Sequence, residues 1–178
     1  LPTSALLRNW IAVCLANGIG AAGLALVVFL SGHPDMNDGA IGRTYLQIAA
    51  AKTSLTPVAA FFRGVLCNVL VCMAIWMSLA GRSVTDKFIA IVLPISAFVA
   101  AGFEHSIANF YFFPLAMLLQ AAAGQPVDFA WLWHNIVPVI AGNLVGGSVL
   151  VALVYHVIYR RSAAVSLSSS SSTWGCVV

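Results

Sequence analysis

Long apolar runs separated by short polar segments dominate the chain. A membrane span takes about 20 mostly apolar residues in a row, and four stretches reach that length: residues 10–30, 58–79, 88–119 and 136–159. The connections between them are rich in Gly, Pro, Asp and basic residues. The pattern predicts four transmembrane helices followed by a serine-rich, disordered tail at residues 162–178.

The third apolar run has the most informative interruption. Gly102, Glu104 and His105 lie near its middle, where an ionisable group costs at least a few kcal/mol. Irregular backbone at this depth is tolerated only inside protein or beside a water-filled cavity. We therefore predict two half-helices with a break near residues 102–105. The second half-helix would begin around Glu104 and turn its free N–H groups towards the middle of the membrane, where they favour an anion.

The composition agrees with a membrane-embedded bundle. Of the 178 residues, 61% are hydrophobic and 7% are charged, whereas a soluble domain carries about 25% charged residues. The net charge of +3 gives no basic patch suited to nucleic acid. Three of the four cysteines lie in apolar runs, where cysteine behaves as a small hydrophobe. We predict an all-α integral membrane fold with no cofactor, metal or nucleic-acid partner.

The basic residues predict which side of the membrane each loop occupies. Four spans place both chain ends on one side, together with five of the eight Lys and Arg residues. The side with more Lys and Arg is usually cytoplasmic, so both ends are predicted to be cytoplasmic. The five are Arg8, Arg82, Lys87, Arg160 and Arg161, and the other three are Arg43, Lys52 and Arg63.

Three side chains near the break are candidates for a pore. His105 can donate a hydrogen bond or a proton to an anion. Glu104 is expected mainly to cap the second half-helix, either as its N-cap or as a first-turn carboxylate. Phe98 lies one helical turn before Gly102 and is either a lipid-facing side chain or part of a hydrophobic constriction.

Each predicted span also contains one asparagine. They are Asn17, Asn68, Asn109 and Asn143. An amide in hydrocarbon must find a partner, so these residues either join helices or present amide groups to the pore. Lys52 is either an exposed loop residue or, if its loop folds back, an anion collector at the pore mouth. Arg63 is expected to extend to the membrane surface.

Several segments resemble the formate/nitrite transporter family. They are residues 61–68 (FFRGVLCN), 74–77 (AIWM), 102–109 (GFEHSIAN) and 140–147 (IAGNLVGG). The string Gly-Phe-Glu-His-Ser-Ile-Ala-Asn is the most specific of these segments, and the resemblance extends to about Arg161. The serine-rich tail is outside it.

The resemblance implies an aquaporin-like helical bundle of two inverted repeats, assembled as a homopentamer in a bacterial inner membrane, with a pore in each subunit. The spans of this chain are similar to the last four of the family's six, and the first two have no counterpart here. The resemblance also implies that His105 is the central pore residue and that Phe98 belongs to a hydrophobic constriction. Lys52 would lie near the periplasmic vestibule, and Asn68 and Asn143 would support the broken helices.

The predicted function is transport of small monovalent weak-acid anions, nitrite or formate. A bare anion in a dry constriction costs tens of kcal/mol, and protonation removes most of that cost. We expect Lys52 and the helix dipoles to collect the anion, and His105 to share or donate a proton before the neutral acid passes Phe98. The short connection at residues 121–134 and the context of Lys52 favour nitrite.

Two other functions compete with transport. One is a structural or assembly subunit of the membrane, without transport of its own. The other is an enzyme, for which the sequence offers no cofactor motif, metal-ligand cluster or nucleophile–base pair. We therefore predict that the protein is not an enzyme.

Overall fold

The structure, a computed structural model, describes residues 3–159, which form helices joined by turns and short loops. A short 3₁₀ turn at His33–Asp35 precedes the second helix. The helices are α1 (Thr3–Leu30), α2 (Ala40–Thr53), α3 (Pro57–Ala80), α4 (Val84–Ala100), α5 (Ser106–Ala122) and α6 (Leu132–Tyr159). The predicted tail at residues 162–178, with Arg160 and Arg161, lies outside the described residues.

Three of the described helices, α1, α3 and α6, are long and apolar enough to cross a membrane. The third predicted span appears as α4 and α5, each of 17 residues, with residues 101–105 between them. The last helix contains two stretches of wider π-helical turns, at Leu132–Ile136 and Val145–Leu153. Such turns locally widen an α-helix and change which side chains face a neighbour.

Helix α2 departs from the sequence prediction, which gave residues 33–55 as a connection. The segment is only weakly amphipathic and too short to span a membrane, so hydropathy alone does not reveal it. Ala49 of α2 packs with Phe113 and Ala116 of α5 and with Ile136 of α6 in one buried cluster. This packing holds the C-terminal end of α2 against the half-helix that follows the break.

Helices α1 and α6 begin several residues earlier than predicted. Helix α1 starts at Thr3 rather than near residue 10, because Ala5, Leu6 and Leu7 extend its apolar run past Arg8. The last helix starts at Leu132 rather than near residue 136. The earlier start brings Asn135 into a packed helix, where it contacts the residues around the break.

A capping box starts α4 at Val84. Ser83 Oγ accepts a hydrogen bond from the Asp86 N–H at 3.1 Å, and the Asp86 carboxylate accepts from the N–H groups of Ser83 at 3.0 Å and Arg82 at 3.1 Å. The hydrogen bonds with Ser83, followed by that from Arg82, hold the pKa of Asp86 below its usual range. The cap therefore places the helix start before residue 88, where the predicted span began.

Glycines bring α3 and α6 into backbone contact. A Cβ atom at Gly142 would collide with the Phe61 carbonyl, and one at Gly146 would collide with the Val65 carbonyl. Small residues permit this close approach between membrane helices. Residue numbers rise together along the two helices, so α3 and α6 run in the same direction. The α4–α5 segment lies between them in the chain and returns the backbone to the side where α6 begins.

Candidate functional site

A glycine-dependent turn ends α4 at the break. Gly102 has a φ of +66°, in the left-handed region that glycine adopts at little cost. The Gly102 N–H donates to the Val99 carbonyl at 3.1 Å, and the Phe103 N–H donates to the Phe98 carbonyl at 3.0 Å. These two bonds form a Schellman motif, which satisfies the last carbonyls of a helix and redirects the chain.

Helix α5 begins at Ser106, and His105 is its N-cap residue, with no capping side-chain hydrogen bond. The prediction that Glu104 caps this helix, as N-cap or first-turn carboxylate, is therefore wrong. Its carboxylate is engaged by Lys52 and Asn109 instead. A side chain from a different helix serves the start of α5, because the Ser106 N–H donates to Asn143 Oδ1 at 2.9 Å.

Lys52 and Glu104 form a largely buried ion pair. Lys52 is in the last turn of α2, and its Nζ lies 3.0 Å from Glu104 Oε1. The Lys52 side chain is 15% exposed and that of Glu104 is 4% exposed. Lys52 is therefore not an exposed loop residue, and a buried carboxylate offsets its charge. Nζ also lies 5.8 Å from the centre of the Phe112 ring.

Two buried asparagines complete the environment of this ion pair. Asn109 Nδ2 donates to Glu104 Oε2 and to Asn135 Oδ1, both at 2.7 Å. Asn135 Nδ2 donates to the Lys52 carbonyl at 3.0 Å. Both asparagines are completely buried. Asn135 is not among the predicted site residues because it lies just before the predicted fourth span; a helix extended by one turn would include it.

Asn143 connects α3, α6 and the break. Its Nδ2 donates to the Gly64 carbonyl at 2.8 Å and to the Glu104 carbonyl at 3.0 Å, while its Oδ1 receives the Ser106 N–H. Asn68 of α3 donates through Nδ2 to the Asn143 carbonyl. The asparagines of α3 and α6 therefore fix where the second half-helix begins.

Arg63 contacts the break from α3. Its Nη1 donates to the Gly102 carbonyl at 3.3 Å, and its own carbonyl accepts the Glu104 N–H at 3.4 Å. The prediction that Arg63 extends to the membrane surface stays a prediction. Its side chain is exposed on the surface of the chain, but it is directed at the end of α4.

His105 lies beside Phe98 and on the wall of a cavity. The two ring centres are 6.0 Å apart with an interplanar angle of 26°. The cavity has a volume of about 600 Å³ and lies between α1, α3, α5 and α6. Its polar lining residues include Asn17, Asn68, His105, Ser106 and Asn143.

The predicted site residues thus fall into three groups. Asn68, His105 and Asn143 reach the cavity, whereas Lys52, Glu104 and Asn109 form the buried polar cluster behind the break. Phe98 and Gly102 lie at the end of α4. Among residues 3–159, no group of three or more His, Cys, Asp or Glu side chains is placed to hold a metal ion.

Comparison with known proteins identifies the family. Residues 1–157 match the family model described as formate/nitrite transporter. The chain belongs to the formate/nitrite transporter family. This finding confirms the resemblance seen in the sequence, and it covers the cavity, the break and the buried polar cluster.

Named relatives are formate channels. The chain is 39% identical to formate channel FocA of Escherichia coli (strain K12), over 88% of this chain and 60% of that protein. It is 37% identical to formate channel FocA of Haemophilus influenzae, over 86% of this chain and 59% of that protein. The chain thus spans about 60% of the length of these relatives.

Solved structures give the same result. A pentameric formate channel with formate bound has a TM-score of 0.79 and 34% identity, over 87% of this chain and 67% of that chain. A structure described as an FNT family ion channel has a TM-score of 0.71 and 33% identity, over 87% of this chain and 59% of that chain. The protein is therefore a membrane protein, and the predicted all-α integral membrane fold is confirmed.

Proposed function

We propose that the complete protein carrying this chain conducts small monovalent weak-acid anions through a pore in each subunit. The observation that carries the proposal is His105, which lies at a mid-helix break, on the wall of a cavity and beside an aromatic ring. Formate is the first candidate substrate because the named relatives and a solved structure are formate channels. Nitrite, which the sequence context favoured, is the second.

Protonation at the break explains how an anion passes an apolar constriction. The first N–H groups of α5 and the positive end of its dipole attract the anion. His105, the N-cap residue of α5, then shares or donates a proton. The neutral acid passes the ring of Phe98, which stacks against His105, at far lower cost than the bare anion.

The buried polar cluster around Glu104 holds the break in place for this route. Lys52 collects anions less strongly than a free lysine because Glu104 offsets its charge at 3.0 Å. Asn109 and Asn135 keep the Glu104 carboxylate engaged. We assign the cluster the role of fixing the backbone between Glu104 and Ser106, which sets the position of His105.

We further propose a homopentamer in a bacterial inner membrane, with the two ends of this chain in the cytoplasm. The pentameric formate channel supports the assembly, and the excess of Lys and Arg on the side of the chain ends supports the orientation. In this proposal the protein is a channel and leaves the anion chemically unchanged. This agrees with relatives that are named as channels. A structural or assembly subunit is the alternative.

Flux in proteoliposomes tests the proposal. The complete protein would be reconstituted, and uptake of formate and of nitrite measured from about pH 5 to about pH 8. Flux of either anion that rises as pH falls supports a pore linked to protonation and ranks the two anions. A folded pentamer that carries neither anion would contradict transport and favour the structural alternative.

His105→Asn tests the protonation step in the same assay. Asparagine keeps a hydrogen-bonding amide but cannot titrate, so the pH dependence of the flux should disappear. His156→Asn is the matched control, because His156 is an exposed histidine near the end of α6. Unchanged pH dependence in His105→Asn would remove His105 from the mechanism.

A further inference from the structure

The break joins two helix ends of opposite polarity. A helix carries the equivalent of about half a negative charge at its C-terminal end and half a positive charge at its N-terminal end. Helix α4 ends at Ala100 and α5 begins at Ser106, so the two partial charges lie close together. Helix α4 has no basic residue in its last turn. Without a compensating positive charge, the negative end of α4 would cancel much of the attraction that the positive end of α5 exerts on an anion.

Arg63 of the neighbouring helix supplies the missing positive charge. The Gly102 carbonyl, just past the end of α4, receives a hydrogen bond from Arg63 Nη1 at 3.3 Å. The main chain reinforces this placement, because the Arg63 carbonyl accepts the Glu104 N–H on the other side of the glycine. The guanidinium is therefore held at the negative end of α4.

The charge of Arg63 is not offset within the described part of the chain. Across residues 3–159 the ion pair present is Lys52–Glu104, and no carboxylate pairs with Arg63. Its remaining N–H groups make no hydrogen bond with these residues. A cation at membrane depth is costly and tends to mark an ion pathway or a water-filled cavity. Of the two cations that contact the break, Lys52 has a carboxylate partner, whereas Arg63 has none within residues 3–159.

We propose that Arg63 is a positioning residue for anions at the break. Its guanidinium offsets the negative end of α4, so that the region around His105 keeps a net positive potential. This inference rests on the proposed transport of anions, and it assigns the fixed charge of the break to Arg63 rather than to Lys52. Arg63 thereby favours the entry of an anion, while His105 remains the group that exchanges the proton.

Two substitutions separate the charge from the hydrogen bond. Arg63→Gln keeps a donor for the Gly102 carbonyl but removes the charge, whereas Arg63→Lys keeps the charge on a different donor. Arg43→Gln is the matched control, because Arg43 also donates to a backbone carbonyl, that of Asp38 at 2.8 Å, away from the break. Initial rates of formate uptake by the complete protein in proteoliposomes would be measured over a range of formate concentrations.

The expected result is a change in half-saturation. Arg63→Gln should raise the half-saturating formate concentration on the order of tenfold, since one elementary charge is removed near the path. Arg63→Lys should stay within about threefold of the unsubstituted protein, and Arg43→Gln should match it. The pH profile should keep its shape in all three, since His105 is unchanged.

Several outcomes would overturn the inference. An unchanged half-saturation in Arg63→Gln would show that the charge does not act on the anion. Equal damage in Arg63→Gln and Arg63→Lys, with a lower unfolding temperature in both, would show a structural role for the hydrogen bond. Arg63→Gln that fails to fold while Arg63→Lys folds would assign the charge to stability. If the unsubstituted protein carries no anion, the proposed function itself fails, and this inference fails with it.

Discussion

At the scale of single residues, the sequence reveals polar groups but not their partners. Gly102, Glu104 and His105 are conspicuous because they interrupt an apolar run, and this local signal predicts a break. The partner of Glu104 is Lys52, 52 positions earlier in the chain. Hydropathy carries no information about such a pairing, so the capping role given to Glu104 was the local solution and is wrong.

The Lys52–Glu104 ion pair should be strongly coupled. Because both side chains are largely buried, Glu104→Gln leaves a lysine without its counter-ion and should destabilise the protein by about 3 kcal/mol. Lys52→Met leaves a carboxylate with only amide donors and should also destabilise it. The double variant removes both charges, so its loss should be clearly smaller than the sum of the two.

Thermal unfolding of the complete protein in detergent measures this coupling. Four proteins are compared at one pH: the unsubstituted protein, the two single variants and the double variant. Losses that simply add would mean that the two charges do not interact, and the ion pair would then have no part in holding the break.

At the scale of helices, length and hydropathy are sufficient to predict the long helices. The predicted spans at residues 58–79 and 136–159 overlap α3 and α6, which are long and apolar enough to cross a membrane. Helix α2 has no such signal because it is short and gains its stability from packing against α5 and α6. The starts of α4 and α6 differ from the prediction because caps and contacts with neighbouring helices determine them. Hydropathy contains no information about caps or contacts.

The glycine contact between α3 and α6 should tolerate no side chain. Gly142→Ala places a methyl group against the Phe61 carbonyl, and the helices must separate, which should cost about 1–3 kcal/mol or more. Gly20→Ala is the matched control, because a Cβ atom there meets nothing within 4 Å and alanine favours a helix.

Unfolding temperature and yield of the assembled protein are the measurements. Gly142→Ala should lower both, whereas Gly20→Ala should leave them unchanged or slightly raised. Equal behaviour of the two variants would show that the backbones of α3 and α6 do not approach each other this closely in the membrane.

At the scale of the whole molecule, alternating passes through the membrane determine which segments share a side. Helices α3 and α6 run in the same direction, and the α4–α5 segment returns between them. Lys87, in the first turns of α4, should therefore lie on one side, and the connection that contains Asp128 on the other. The sequence predicts the same division from its basic residues, although it does not show that two parallel helices form the closest contact.

Cysteine labelling in intact cells tests this arrangement. Asp128→Cys should react with a membrane-impermeant maleimide from outside, and Lys87→Cys should react only after the membrane is opened. The protein with its own cysteines alone gives the background. Labelling of both positions from the same side would contradict the topology, and exchanged sides would reverse the orientation.

The parallel contact between α3 and α6 also determines when the protein can finish folding during synthesis. Helix α3 is complete at Ala80, and about 50 further residues are synthesised before α6 begins at Leu132. In that interval the face of α3 around Gly64 has no partner, and the Asn68 amide lacks the Asn143 carbonyl that it binds in the finished fold. Helix α5 likewise lacks the Asn143 oxygen that receives its first N–H. The proposed anion site is therefore a late product of biogenesis, assembled only once α6 has entered the bilayer.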